Sequence, residues 1–341
     1  MLTFGLRGKS PFPDMDLLSV SGISKKDERG FELKAISFTQ QKFQKIAIAG
    51  ETGSGKSTLL KIIAGLAEQN AGVVMFEGKK IIGPADKLIP GHPGIVYLSQ
   101  HFELPNNLRV EQVLEYANLL SDEAAATLYE ICQIDHLLKR RTNQLSGGEK
   151  QRIALAKLLI TSPKLLLLDE PFSNTDMVHK KLLKSVIRDI GAKLKITCIM
   201  VSHDPMDSLS WADSIIVIRD GALIQQGTPK EVYRQPASEY IAGLFGNFTL
   251  ATHTTLKALQ EETAAGNASQ KLLVRPEDII VSTSAGEGAE AMVKEVLYYG
   301  GFCDVEVTLG KNKLIARATN LSLAKGDTVY LRLNQSEHWY L

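Results

Sequence analysis

From Leu17 to about Gly243 the chain alternates short, wholly apolar runs with stretches in which apolar residues recur every three to four positions, the pattern of an α/β core. Five runs predict strands: "QKIAIAG" ending at Gly50, "GIVYLSQ" at Gln100, "KLLLLDE" at Glu170, "ITCIMVSHD" at Asp204 and "SIIVIRDG" at Gly221. Several of them place a polar or charged residue where the apolar run stops. In open parallel sheets that carboxyl edge is where ligands bind.

The strand pattern lapses after Leu104. "VEQVLEYANLL" and "EAAATLYEICQIDHLL" have helical spacing, which predicts a helical insertion over about 104–160. Residues 244–271, "LFGNFTLATHTTLKALQEETAAGNASQK", are polar and weakly periodic and read as a linker. From Leu272 the texture is all-β. "TVYLRL" alternates cleanly, "FCDVEVTL" imperfectly, and Gly300, Gly301 and Gly310 punctuate the strands, as in a small barrel of the oligonucleotide/oligosaccharide-binding type.

Composition narrows the class. A chain of 341 residues exceeds the roughly 250–300 at which single cores stop growing, so two domains, 14–243 and 272–341, are expected. The net charge of +1 gives no whole-chain attraction to nucleic acid, and 272–341 is itself near neutral. The start, "MLTFGLRGKSPFPDM", lacks a signal-peptide apolar run. Cys132, Cys198 and Cys303 are far apart and read as reduced thiols, and no stretch approaches the roughly 18 apolar residues of a membrane span. A cytosolic protein able to dock on a membrane partner is the expectation.

The chemistry starts at Gly50-Glu51-Thr52-Gly53-Ser54-Gly55-Lys56-Ser57, followed by Thr58, which fits G-x-x-x-x-G-K-[ST] between a strand and a helix. Glycines let the backbone N–H groups curl around phosphate at a helix N-terminus. Lys56 is placed to reach the β- and γ-phosphates, and Ser57 to ligate Mg²⁺. No Asn-Lys-x-Asp stretch is present to read guanine. "LLLLDEP" sets Asp169 and Glu170 at the tip of a buried strand, where two carboxylates are costly without compensation. Asp169 suits Mg²⁺, and Glu170 suits polarising the water that attacks the γ-phosphate. His203 and Gln100 end two other strands; the first could donate to the γ-phosphate, the second could touch both Mg²⁺ and water.

Ser146-Gly147-Gly148-Glu149 is a helix capping box, yet two glycines at a helix start cost stability unless something approaches the backbone closely. A second phosphate site is the natural reading. Together these motifs resemble the ATP-hydrolysing subunit of ABC transporters, with "LSGGEKQR" similar to the family signature. The resemblance implies a P-loop NTPase core with a helical insertion, acting as a head-to-tail pair in which Ser146, Gly147 and Gly148 serve the ATP of a second copy. It also implies ATP and Mg²⁺ as cofactors, Glu170 as base, His203 as switch histidine, Gln100 as Q-loop glutamine and Asp176 in the D-loop.

"VRPEDI", Val274 to Ile279, resembles the start of the regulatory TOBE barrel of importer ATPases for sugars, polyamines, ferric iron, sulfate and molybdate. That likeness implies permease subunits, met by the helical insertion with the segment from His101 to Tyr116 after Gln100, and, indirectly, a solute-binding protein as partners, a place on the cytoplasmic membrane face, and no nucleic acid. A single small barrel leans the solute toward polyamine or ferric iron, with sulfate, molybdate and sugar as alternatives. A ribosome- or nucleic-acid-directed ABC ATPase and a non-hydrolysing regulator are the readings from other classes. Two departures stand out. The loop "SKKDERG" has no aromatic residue to stack on adenine, leaving Phe31 for that role, and Asn174-Thr175 replaces the usual Ala-Leu of the D-loop.

Overall fold

The computed structural model describes residues 16–26, 30, 32–100, 103–173, 177–259, 270–319, 322–334 and 338–341. Phe31, His101 and Asp176 lie outside the described residues. The chain forms two compact units, Met1–Pro229 and Lys230–Leu341.

The first unit contains, in order, β1 (Asp16–Lys26), β2 (Glu32–Gln41), β3 (Lys45–Ala49), α1 (Lys56–Ile63), β4 (Ala71–Phe76), β5 (Lys79–Lys80) and β6 (Ile95–Leu98). Three helices of the insertion follow: α2 (Val110–Glu115), α3 (Asp122–Cys132) and α4 (Gly147–Leu159). It closes with β7 (Leu165–Asp169), α5 (Met177–Lys193), β8 (Thr197–Val201), α6 (Pro205–Trp211), β9 (Ser214–Arg219) and β10 (Ala222–Gly227).

A six-stranded sheet runs in the order β10-β9-β3-β8-β7-β6, and the five strands expected from the apolar runs are its parallel part. β7 shows why its run does not alternate. Leu165 and Leu167 pack with Ile48, Leu59 and Ile63 on one face, while Leu166 and Leu168 pack with Ile153 and Leu155 of α4 on the other. Both faces being covered, every position of the strand is apolar until Asp169. A second, antiparallel sheet, β2-β1-β4-β5, completes this unit.

The neighbour order matters for the site. Because β8 lies between β3 and β7, and β6 beside β7, the carboxyl ends of these strands bring four loops to one edge. They carry the glycine loop after β3, His203 after β8, Asp169 and Glu170 at the end of β7, and Gln100 after β6.

The second unit holds α7 (Pro229–Arg234), α8 (Glu239–Leu244), β11 (Thr249–Ala251), α9 (His253–Ala258) and β12 (Leu272–Val274). After them come β13 (Ile279–Ser282), β14 (Ala289–Tyr298), β15 (Cys303–Leu309), β16 (Asn312–Ala318) and β17 (Thr328–Leu333). The last five form an antiparallel sheet, β13-β17-β14-β15-β16, whose end strands β13 and β16 approach each other. The sheet thus curls as a half-barrel around Val293, Val305, Val307, Leu314, Val329 and Leu331.

The stretch expected as a linker is structured over 249–259. β11 pairs with β12, and Ala251, Leu256 and Leu259 join the barrel's core, while Thr252 caps α9 by accepting from the Thr255 N–H. Three buried apolar residues among polar threonines are too few to make a visible period. Likewise α7 and α8, expected at the end of the first domain, belong to the second compact unit. Among the described residues no helix is long and apolar enough to cross a membrane.

Candidate functional site

The glycine loop is built for backbone curvature. Gly50, Gly53 and Gly55 have φ of +149°, +84° and +101°, and a Cβ on Gly50 would lie 2.1 Å from the Ile218 carbonyl oxygen of β9. Only glycine fits a backbone pressed that closely to its neighbour. Gly55 then opens α1, directing the first-turn N–H groups into the loop.

Lys56 is 5% exposed, and its ammonium donates to the carbonyls of Gly50 and Glu51 at 2.9 and 2.7 Å. Burial lowers its pKa, opposed by Glu170, then Asp169 and Glu51. A buried cation held under a glycine loop at a helix N-terminus is suited to receive phosphate oxygen. Glu51, Thr52 and Gly53 are exposed at the crest of the loop, Ser54 is buried beneath it, and Ser57 and Thr58 are half-buried on α1.

Asp169 is tied from two sides. The Ser57 hydroxyl donates to its Oδ1 at 2.9 Å and the Tyr97 hydroxyl to its Oδ2 at 2.6 Å. Burial, then the bond to Asp169, pushes the Tyr97 phenol well above its ordinary pKa. Ser57 and Asp169 are adjacent oxygen donors, one anionic, and this is the donor set a hard divalent cation takes.

Glu170 stands next along the chain with φ +49°, a left-handed backbone that costs a residue bearing a Cβ of order 1–2 kcal/mol. The conformation is held by three bonds, from the Glu170 N–H to the Val201 carbonyl at 3.1 Å and from the Ser173 N–H and hydroxyl to the Glu170 carbonyl at 3.2 and 2.8 Å. It turns the side chain toward the loop after β8, where Glu170 Oε2 lies 3.4 Å from His203 Nδ1. Strain of this kind gathers at functional positions. Gln100 is exposed just beyond β6.

The loop bearing His203 is clamped from α5. Lys180 donates to Asp204 at 2.6 Å and lies 3.2 Å from the buried Asp207, which also pairs with Lys184 and accepts from the Ser202 hydroxyl at 3.3 Å.

Ser146, Gly147 and Gly148 open α4. The Ser146 hydroxyl accepts from the Glu149 N–H at 3.3 Å and the Glu149 carboxylate accepts from the Ser146 N–H at 2.8 Å, so the expected capping box is formed. One turn on, the Gln151 side-chain amide donates to the Pro171 carbonyl at 2.5 Å, joining the signature helix to the residue that follows Glu170.

Lys56, Ser57, Asp169, Glu170 and His203 thus gather at one edge of the sheet. Sequence reasoning did not single out Tyr97, Gln151 or the Lys180–Asp204–Asp207 clamp. A signal existed for Tyr97 alone: it is the one hydroxyl-bearing aromatic in the run "GIVYLSQ", on the strand beside Asp169.

Comparison with known proteins agrees with this geometry. The family model "ABC transporter" matches residues 33–173 and the model "TOBE domain" residues 272–341. The chain is similar to the sulfate/thiosulfate import ATP-binding protein CysA of Synechocystis, at 30% identity over 88% of this chain and 87% of the relative. It is also similar to the molybdate/tungstate import ATP-binding protein WtpC of Thermococcus kodakarensis, at 34% identity over 78% and 83%. Among solved structures, the ADP conformation of MJ1267, an ATP-binding cassette of an ABC transporter, superposes with a TM-score of 0.57 at 27% identity, covering 67% of this chain and 98% of that one. A phosphate loop, an acidic strand end and a signature helix capped by Ser146 in the first unit, together with the TOBE match of the second, make the chain a member of the family of ABC importer ATP-binding subunits, which are ATPases.

Proposed function

We propose that this subunit drives uptake of a tetrahedral oxyanion through a membrane permease, working as a head-to-tail pair of ATPase units. The observation that carries the ATPase half is the meeting of Lys56, Ser57, Asp169, Glu170 and His203 at one sheet edge. Lys56 and the loop N–H groups bind the β- and γ-phosphates of ATP, and Ser57 and Asp169 hold Mg²⁺, which supplies charge neutralisation on the phosphate oxygens. Glu170 takes the proton of the attacking water, and His203, beside it, orients the γ-phosphate. Gln100 stands at the strand end beside Asp169, where it senses both.

The pair follows from the signature helix. Ser146 and Glu149 cap α4, leaving Gly147 with open space where a Cβ would stand. That exposed helix start is suited to the phosphate of a second copy's nucleotide. Closure is then driven by phosphates bound between two half-sites, because ATP binds the closed pair better than the open one.

For the permease we assign a surface on the helical insertion. Tyr116 is 81% and Leu119 75% exposed, although Val113 and Leu114 between α2 and the core are buried. Leu119 donates its N–H to Ile160, two residues past Leu158, which with Leu66 and Ile89 lines a cavity of about 430 Å³. An apolar cavity beside exposed apolar side chains suits a short helix of a partner.

The solute class rests on relatives named for sulfate, thiosulfate, molybdate and tungstate import, and these favour an oxyanion over polyamine or ferric iron. Purification from native membranes in mild detergent, with ATPase activity assayed on the same fraction, tests the whole reading. A polytopic permease together with an oxyanion-binding protein is the expected result. Recovery with ribosomes or DNA overturns the transport reading, and a binding protein for a cation or sugar overturns the solute.

A further inference from the structure

Tyr97 and Asp169 occupy neighbouring parallel strands, and their meeting is set by register. Tyr97 pairs with Leu167 across β6 and β7, so its side chain leaves the sheet on the face shared by Leu167 and, two residues on, Asp169. The phenol is just long enough to reach past Leu167 to the carboxylate, and the bond is short, 2.6 Å, as expected when a hydroxyl donates to a charged oxygen.

A carboxylate turns about a soft, two-fold torsion. Ser57 alone would hold one oxygen and leave the plane of the group free to rotate about that contact. With Oδ2 held by Tyr97 and Oδ1 by Ser57, the plane is fixed from both ends. The two donors arrive from different parts of the fold, Ser57 from α1 below the phosphate loop and Tyr97 from the strand that ends at Gln100. The carboxylate therefore has one orientation before any nucleotide arrives.

We propose that Tyr97 is a positioning residue for the divalent cation: its hydroxyl sets the orientation of Asp169 in which Oδ1 is presented beside Ser57. This rests on the reading of Ser57 and Asp169 as the Mg²⁺ pair. Tyr97 itself touches no substrate, so its loss weakens the cation's hold while leaving the phosphate loop's own grip on nucleotide alone. The ring is only half-buried, bordering the cavity lined by Leu66, Ile89, His92 and Leu158, and phenylalanine fills the same seat without the hydroxyl.

The test uses the full chain, Mn²⁺ as a paramagnetic probe of the cation site and a fluorescent ADP analogue for nucleotide affinity. In Tyr97→Phe, analogue affinity in EDTA is expected to stay within about twofold, whereas Mn²⁺ affinity of the ADP complex, read by electron paramagnetic resonance, falls about five- to tenfold. Unchanged or tighter Mn²⁺ binding overturns the proposal. So does an equal loss of nucleotide affinity with and without metal, which is the mark of a merely structural role. Ser57→Ala and Asp169→Asn, measured alongside, separate the two levels: if neither weakens Mn²⁺ binding, the Mg²⁺ assignment itself fails and Tyr97 falls with it. If both weaken it and Tyr97→Phe does not, only the role of Tyr97 is lost.

Discussion

A Cβ placed on Gly148 would lie 2.6 Å from Cδ2 and 3.0 Å from Cγ of His179, so the second signature glycine is shaped by a residue of its own chain on α5. The contact with His179 is by itself a reason for glycine here, whatever approaches the helix start. Gly148→Ala is expected to cost about 1–3 kcal/mol by overpacking, read as a lower urea midpoint. Adding His179→Ala should restore the midpoint. If the signature also receives phosphate from a second copy, ATP turnover of the double variant stays at least about tenfold low, because the added methyl keeps phosphate from reaching a backbone N–H whose lost contact costs that or more. Recovery of both stability and turnover would assign the glycine to His179 alone.

Glu170 combines chemistry with strain, and two substitutions separate them. Glu170→Gln keeps the shape but cannot take a proton, so turnover is expected to drop about 10²–10⁴-fold with ATP affinity little changed. Light scattering with ATP should then show a trapped dimer. For the strain, Glu170→Ala and Glu170→Gly remove the same contacts, but only glycine adopts φ +49° without a steric cost. The glycine variant should unfold at the same or a higher urea concentration than the alanine variant, despite the entropy glycine adds to the unfolded chain. A clearly lower midpoint would remove the strain.

The readable part of this protein was the part made of local signals. The apolar runs of β3, β6, β7, β8 and β9 needed no partner to be recognised, because each strand is covered on both faces and cannot alternate. The phosphate loop and the capping box of Ser146 were equally local. Tyr97 was hidden because its partner lies 72 positions away and is reached only through the β6–β7 register. The Lys180 clamp was hidden for the same reason, since lysines on a helix face ordinarily read as solvated. Residues 249–259 read as a linker in the sequence because their few apolar side chains complete a core supplied by distant strands.

Lys180 gives a prediction with a defined pH dependence. Burial lowers its pKa, but Asp204 and Asp207 outweigh that and the net shift is upward; for Asp204, burial is outweighed by Lys180 and the Met206 N–H, and the net shift is downward. The lysine's contribution is full below its unfolded value of about 10.4 and fades as pH rises through the higher folded value. The aspartate's contribution is full above about 3.9 and fades as pH falls through the lower folded value. Lys180→Met should therefore cost about 1–2 kcal/mol at neutral pH, a gap in urea midpoints that narrows in strong alkali and in strong acid. Because His203 lies between Ser202 and Asp204, turnover should fall several-fold with the KM for ATP unchanged. A gap that stays constant across pH would assign the effect to packing.

Arg275 is the last test, because it explains why α7 and α8 belong to the barrel's unit. Its side chain is 1% exposed, and its guanidinium donates to the carbonyls of Tyr233, Ala242, Gly246 and Asn247 at 2.9, 2.9, 3.0 and 3.2 Å while stacking on the Tyr233 ring at 4.1 Å. Its own N–H donates to Asp278, whose carboxylate also pairs with Arg234. A planar fork reaches all four carbonyls at once; a lysine ammonium keeps the charge but cannot span them. Arg275→Lys is expected to destabilise the second unit by about 2–4 kcal/mol, since buried carbonyls lose their donors. Amide hydrogen exchange should rise over 233–247 while ATP turnover per folded molecule stays within about twofold, the nucleotide-binding residues being in the other unit. Unchanged exchange there would mean that charge alone, and not the fork, holds these helices to the barrel.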